Sequence, residues 1–151
     1  MAVGFSTASL WGPMKFQPFN NKAKLLEERD ASLKEVLNLL NNYLARSDQV
    51  FESGDIAMEQ TCFCISRDRS DYLQVNCDGL DVVWFYSDRL HYEMNFLLRI
   101  FCSQTVMAFG GSKEIGIQVI SDYFELSRES FEVKYEKGYR NPQQFGYETI
   151  T

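Results

Sequence analysis

The side chains able to do chemistry are few and scattered. One histidine, His91, stands in His91-Tyr92-Glu93, and four cysteines occupy positions 62, 64, 77 and 102. A lone imidazole makes no histidine-rich metal site, and neither His-Glu-x-x-His nor Pro-Cys-x-x-Cys occurs. A Cys102–His91 thiol dyad needs the ring within hydrogen-bond reach, yet eleven residues along one helix separate the two by about 16 Å. Spacing leaves Cys77–His91 undecided. Gly110-Gly111-Ser112-Lys113 lacks the spacing of a phosphate-binding loop and reads as a plain break. No Gly-x-Ser-x-Gly elbow is present. Asp78 and Asp81 could share acid–base work, although each also suits a turn through local hydrogen bonds. No catalytic residue, metal site or cofactor emerges, so the expectation is a protein that is not an enzyme.

The cysteines point the same way. Cys62 and Cys64 lie two apart in a strand-like run and share a face about 7 Å apart, too far for a ready disulfide. Without a Cys-x-x-Cys, structural zinc is not expected. Reduced, buried thiols of a cytosolic core are expected, with a Cys64–Cys77 cross-strand contact or a redox role as the alternative.

Positioning such residues falls to a chain of 151 residues, 45% hydrophobic and 24% charged. That length suits one domain with a core of its own and excludes disorder, collagen and a cysteine-stapled miniprotein. Residues 1–20 read as an irregular aromatic arm, 21–137 as a single α+β domain and 138–151 as an irregular tail. Leu26, Leu33 and Leu40 recur every seven residues, with Leu37 and Leu44 between them, and predict a helix over about 21–46. The stripe fits packing on the chain's own sheet better than a dimeric coiled coil, because it ends after about three heptads. From residue 57 the period becomes two. Residues 58–67, 72–77 and 80–86 read as an antiparallel three-strand meander, with Asp78-Gly79 as a tight hairpin turn. In the third run Leu80, Val82, Trp84 and Tyr86 fall on one face and Phe85 on the other. Helical spacing over 89–103, alternation over 114–120 and helical spacing again over 121–137 suggest helix, strand and helix. The fold class is therefore α+β, with the N-terminal helix on an antiparallel sheet and further helix and strand after it.

Charge narrows the partners. Fifteen basic residues stand against 21 acidic ones, a formal −6, the wrong sign for gripping nucleic-acid phosphates. The first 54 residues are neutral, whereas 55–100 carry four basic and eight acidic residues. Asp55, Asp71, Asp78 and Asp81, with Tyr72, Trp84 and Tyr86, therefore form the candidate partner-binding face, suited to a basic protein. No long apolar run spans a membrane, and the opening stretch has neither the basic residues nor the apolar run of a secretory signal, so a cytoplasmic location is expected.

In size, acidity, reduced cysteines and α+β pattern the chain resembles small acidic bacterial immunity proteins. That resemblance implies an inhibitor that neutralises a basic, nuclease-type toxin by covering its active site; a viral anti-defence inhibitor has the same character. No residue roles carry over. Two other readings share the composition: a dimeric acidic chaperone of the secretion type, and a helix-on-sheet domain that binds or converts a small molecule using His91. A constitutive dimer favours the chaperone and a monomer the inhibitor.

Overall fold

A computed structural model describes residues 13–20, 22, 24–53, 58–68, 71–88, 106–135, 139–140 and 148–149. In chain order these form strands β1 (Lys15–Pro18) and β2 (Arg29–Asp30), helices α1 (Leu33–Ser53) and α2 (Met58–Thr61), and strands β3 (Cys62–Asp68), β4 (Asp71–Asp78), β5 (Val82–Asp88) and β6 (Val106–Ser112). Helices α3 (Lys113–Glu125) and α4 (Arg128–Lys134) follow, then the two-residue strands β7 (Tyr139–Arg140) and β8 (Glu148–Thr149). The strands make one sheet in the order β2-β1-β3-β4-β5-β6-β7, with β8 beside β6 as the parallel member. The expected α+β class and the helix on an antiparallel sheet are both present, with the meander as β3, β4 and β5.

One sheet face is the core. Phe63 and Ile65 of β3, Leu73, Val75 and Cys77 of β4, Val83 and Phe85 of β5 and Phe109 of β6 lie beneath Val36, Leu40, Tyr43 and Leu44 of α1 and Val119, Ile120 and Tyr123 of α3. A chain of ring contacts continues the core to the C-terminal helix: Phe85–Phe109 at 5.4 Å, Phe109–Tyr135 stacked at 5.2 Å and Phe131–Tyr135 at 4.7 Å. Helix α3 sits tightly on the sheet at Gly116, where a Cβ would meet Val83 Cγ2 at 2.9 Å.

The helix expected over 21–46 is corrected to Leu33–Ser53. Ser32 and Glu35 form a reciprocal capping box, the Ser32 N–H donating to Glu35 Oε2 at 2.7 Å and the Glu35 N–H to Ser32 Oγ at 3.3 Å. Ahead of it, Asn20 Oδ1 accepts from the N–H groups of Lys22 at 2.9 Å and Lys24 at 3.0 Å. That turn sends 25–30 back along β1, which leaves Leu26 exposed rather than in a helical seam. The arm expected to be irregular contains β1, because its Phe16 is needed opposite Ile65 in the core.

Four further corrections lie C-terminally. Of Gly110 to Lys113, read as a break, the first three residues end β6 and Lys113 opens α3, and 114–120, read as a strand, lies in the first half of α3. Ile115, Ile117 and Val119 alternate, but the buried set is Gly116, Val119, Ile120 and Tyr123, the spacing of a helix. Ser112 caps that helix, and a second cap, Ser127, opens α4 where a single helix over 121–137 was expected. The tail, expected to be irregular, supplies β7 and β8. The helix expected over 89–103 lies outside the described residues.

Candidate functional site

The candidate residues sit on and around the β4–β5 hairpin. The turn has three residues, not two: Asp78 pairs with Val82, leaving Gly79, Leu80 and Asp81 to reverse the chain, with Gly79 at φ +76°. The Ser47 hydroxyl of α1, fully buried, lies 3.0 Å from the Gly79 carbonyl and ties the turn to the helix. Asp81 Oδ1 accepts from the Lys113 N–H at the start of α3 at 3.4 Å. Asp78 and Asp81 thus flank a turn fixed by two helices, and Leu80 at its apex is 59% exposed.

Pairing fixes which side chains share the sheet face opposite the helices. Asn76 faces Trp84 and Gln74 faces Tyr86, while Trp84 faces Gly110 and Tyr86 faces Ala108 of β6. Trp84 and Tyr86 lie on this outer face, partly buried, while Val83 and Phe85 fill the core. The Trp84 indole lies flat against β6: a Cβ on Gly110 would sit 2.2 Å from its ring. Its Nε1–H donates to Asp78 Oδ2 at 3.4 Å, and Gln74 Nε2 donates to Asn76 Oδ1 at 2.8 Å. The outer face of the hairpin is a polar and aromatic ladder that leads down to the acidic turn.

Asp71 does not belong to this surface. It opens β4, and seven residues of extended chain, about 23 Å, separate it from Asp78. Its carboxylate binds the Arg67 guanidinium at 3.0 Å and accepts from the Tyr123 hydroxyl at 2.9 Å, and Arg67 Nε donates to the Tyr123 carbonyl at 3.1 Å. Arg67 and Asp71 side chains are 6% and 12% exposed, and the guanidinium carbon lies 4.3 Å from the centre of the Tyr123 ring. Burial and the adjacent Asp71 carboxylate push the Tyr123 phenol well above its usual range. This closed network ties the β3–β4 turn to the end of α3. Tyr72, next in sequence, faces Ser66 on β3 and is partly buried, with its carbonyl accepting from Ser87 Oγ at 2.6 Å.

Asp55, His91 and Cys102 lie outside the described residues. The described cysteines are free thiols, all buried. Cys62 and Cys64 pack under Phe19 on the outer face, whereas Cys77 belongs to the core on the other face. Cys64 and Cys77 are therefore not cross-strand partners. Burial pushes both thiols up to about 12, unsuited to nucleophilic or redox work at neutral pH. Among the described residues no cluster of histidine, cysteine and carboxylate is placed to hold a metal ion, and no helix is long and apolar enough to cross a membrane.

No protein-family model, curated protein or solved structure matches the chain. What it does has to be read from the hairpin itself. Asp71–Asp88 includes four aspartates and no lysine, arginine or histidine. Sequence reasoning grouped Asp55, Asp71, Asp78 and Asp81 by position along the chain and missed that Arg67, four residues before Asp71, takes Asp71 out of the surface. It also missed Leu80 as the exposed apex, since a two-residue turn would have placed it inside a strand.

Proposed function

We propose that the chain is a non-catalytic, stoichiometric inhibitor that binds a basic, nuclease-type protein through the β4–β5 hairpin, in the manner of an immunity or anti-defence protein. The observation that carries this reading is the turn: a rigid apex exposes Leu80 between Asp78 and Asp81, on a hairpin without a single cation. An apolar anchor with charges at its rim has the composition of an interface centre, where a few residues supply most of the binding energy. The carboxylates speed encounter with a basic partner and oppose the lysines and arginines with which a nuclease holds phosphate. Trp84 and Tyr86 extend the contact along the outer face.

The test compares immobilised wild-type protein with D78K/D81K and D71N in capture from the source cell at low salt, followed by association kinetics with whatever is retained. The wild type and D71N retain a basic protein at one-to-one stoichiometry, and D78K/D81K associates at least tenfold more slowly, with a flatter salt dependence. Equal capture by wild type and D78K/D81K, or retention of no basic protein by any form, refutes the reading.

A further inference from the structure

One end of the sheet carries both signs of charge. β1 finishes at Pro18 opposite Phe63, β3 begins beside it at Cys62 opposite Asn76, and β4 finishes at Asp78. The loop after β1 and the β4–β5 turn therefore project from the same end. Two strand spacings separate β1 from β4, so the two tips lie on the order of 10–15 Å apart. The first tip carries Lys22 and Lys24, both exposed, on a loop whose backbone is fixed by the Asn20 side chain, its Oδ1 accepting from both backbone N–H groups. The second carries Asp78 and Asp81, with Asp48 Oδ1 3.9 Å from where a Cβ on Gly79 would stand. Lys113 meets Asp81 through its backbone N–H, and its neighbour in sequence, Glu114, carries the opposite charge.

Exposed apolar surface gathers at the same two places. Of the five large hydrophobic residues exposed among the described ones, Leu25 and Leu26 adjoin the lysine tip at 47% and 46%, and Leu80 and Val82 adjoin the aspartate tip at 59% and 36%. The fifth, Val133, is on α4. Leu25 and Leu26 hold this turn through their backbone, in the bridge to Phe19 and the Leu26 N–H to the Pro18 carbonyl at 2.8 Å, and their exposed side chains are not needed for it.

We infer that this end of the sheet is a self-complementary surface on which two copies of the chain dock head to head. A two-fold rotation about an axis between the tips sets the lysine tip of each copy on the aspartate tip of the other, so every contact is made twice. A second copy matches both halves, whereas a uniformly basic or acidic partner covering the whole end meets one tip of its own sign. Both tips are fixed by hydrogen bonds before contact, which lowers the ordering cost of docking. Two loops a side make an interface below about 1,200 Å², the range of weak, reversible complexes. The dimer is therefore concentration- and salt-dependent, unlike the constitutive dimer of a chaperone. The inference does not rest on the inhibitor reading, since it concerns the chain alone; where both hold, self-association and partner compete for the aspartate tip.

Sedimentation equilibrium on the full chain tests it, at several hundred micromolar and at about 20 mM and about 500 mM salt, a range over which screening of exposed charges becomes strong. Wild type dimerises at low salt and returns to monomer at high salt. K22E/K24E and D78K/D81K each dimerise at least tenfold more weakly, an equimolar mixture of the two recovers dimer, and the fourfold charge-swapped variant dimerises like wild type. Circular dichroism melts establish that each variant is folded. A wild type that stays monomeric at low salt, reversal variants that dimerise unchanged, or a mixture that stays monomeric overturns the inference.

Discussion

Replacing Arg67 with Met keeps the aliphatic stem and removes the guanidinium at the centre of the β3–β4 to α3 junction. Three attachments go at once: the 3.0 Å ion pair with Asp71, the hydrogen bonds to the Tyr123 carbonyl and the stacking on the Tyr123 ring. What remains is a carboxylate only 12% exposed, satisfied by the Tyr123 hydroxyl but without its cation. Breaking a buried pair on one side costs about 3–5 kcal/mol. For a domain of this length each kcal/mol shifts the midpoint by about 2–4 °C, so R67M is expected to melt about 6–20 °C lower. D71N should cost less, because its amide oxygen still accepts from Tyr123, and R67M/D71N should cost at least about 1 kcal/mol less than the two singles added. Urea unfolding monitored by circular dichroism gives all three values, with an unchanged slope showing that stability and not denatured-state compactness has moved. An R67M cost under about 1 kcal/mol, with additive singles, would mean that the pair is solvated and that Asp71 is available to a partner after all.

Three further outcomes follow from the packing and the thiols. Gly110→Ala places a Cβ 2.2 Å from the Trp84 ring, well inside contact distance; displacement of the indole should cost about 1–3 kcal/mol and shift Trp84 emission in a Trp11→Phe background, and an unshifted spectrum would place the ring elsewhere. Gly116→Ala should destabilise α3 on the sheet through Val83, and adding Val83→Ala should recover part of the loss in a thermal melt. Cys64 and Cys77 are raised by burial to about 12 from an ordinary value near 9. Their contribution is complete below pH 9 and is lost as pH rises toward 12, because the unfolded chain releases those protons first. The slope is up to about 1.4 kcal/mol per pH unit for each thiol. Urea midpoints at pH 8 and pH 10.5 should fall accordingly and flatten in C64A/C77A; equal slopes in both proteins would show the thiols to be solvated.

The sheet was the most legible part of the chain because alternation is a local signal. Alternation alone puts Leu73, Val75 and Cys77 on one face of the run 72–77, and all three are buried. Helix ends were less legible where a hydrophobic repeat ran past a cap. Leu26 continues the seven-residue spacing of Leu33 and Leu40, yet Ser32 and Glu35, a capping box visible in the sequence, start the helix at Leu33, seven residues after Leu26. The short run Ile115–Val119 fits two periods equally well; what decides it is Gly116 against Val83, a contact between residues far apart in the chain. The candidate site was half legible. Asp78, Asp81, Trp84 and Tyr86 share one hairpin, with the Trp84 indole bonded to Asp78, but the removal of Asp71 by Arg67 and Tyr123 depends on where α3 ends, which no local pattern reports.

The Asp78–Val82 pair acts as a clasp below the apex. Opposed residues of an antiparallel pair point to the same side of the sheet, so this pairing, and not the number of residues beyond it, turns Val83 and Phe85 inward and Trp84 and Tyr86 outward. A one-residue slip of β5 against β4 would force an indole and a phenol into the core. Residues added between Asp78 and Val82 would lengthen the apex and leave the core untouched. Natural variants are therefore expected to differ in the length of this apex more readily than in the two strands that carry it.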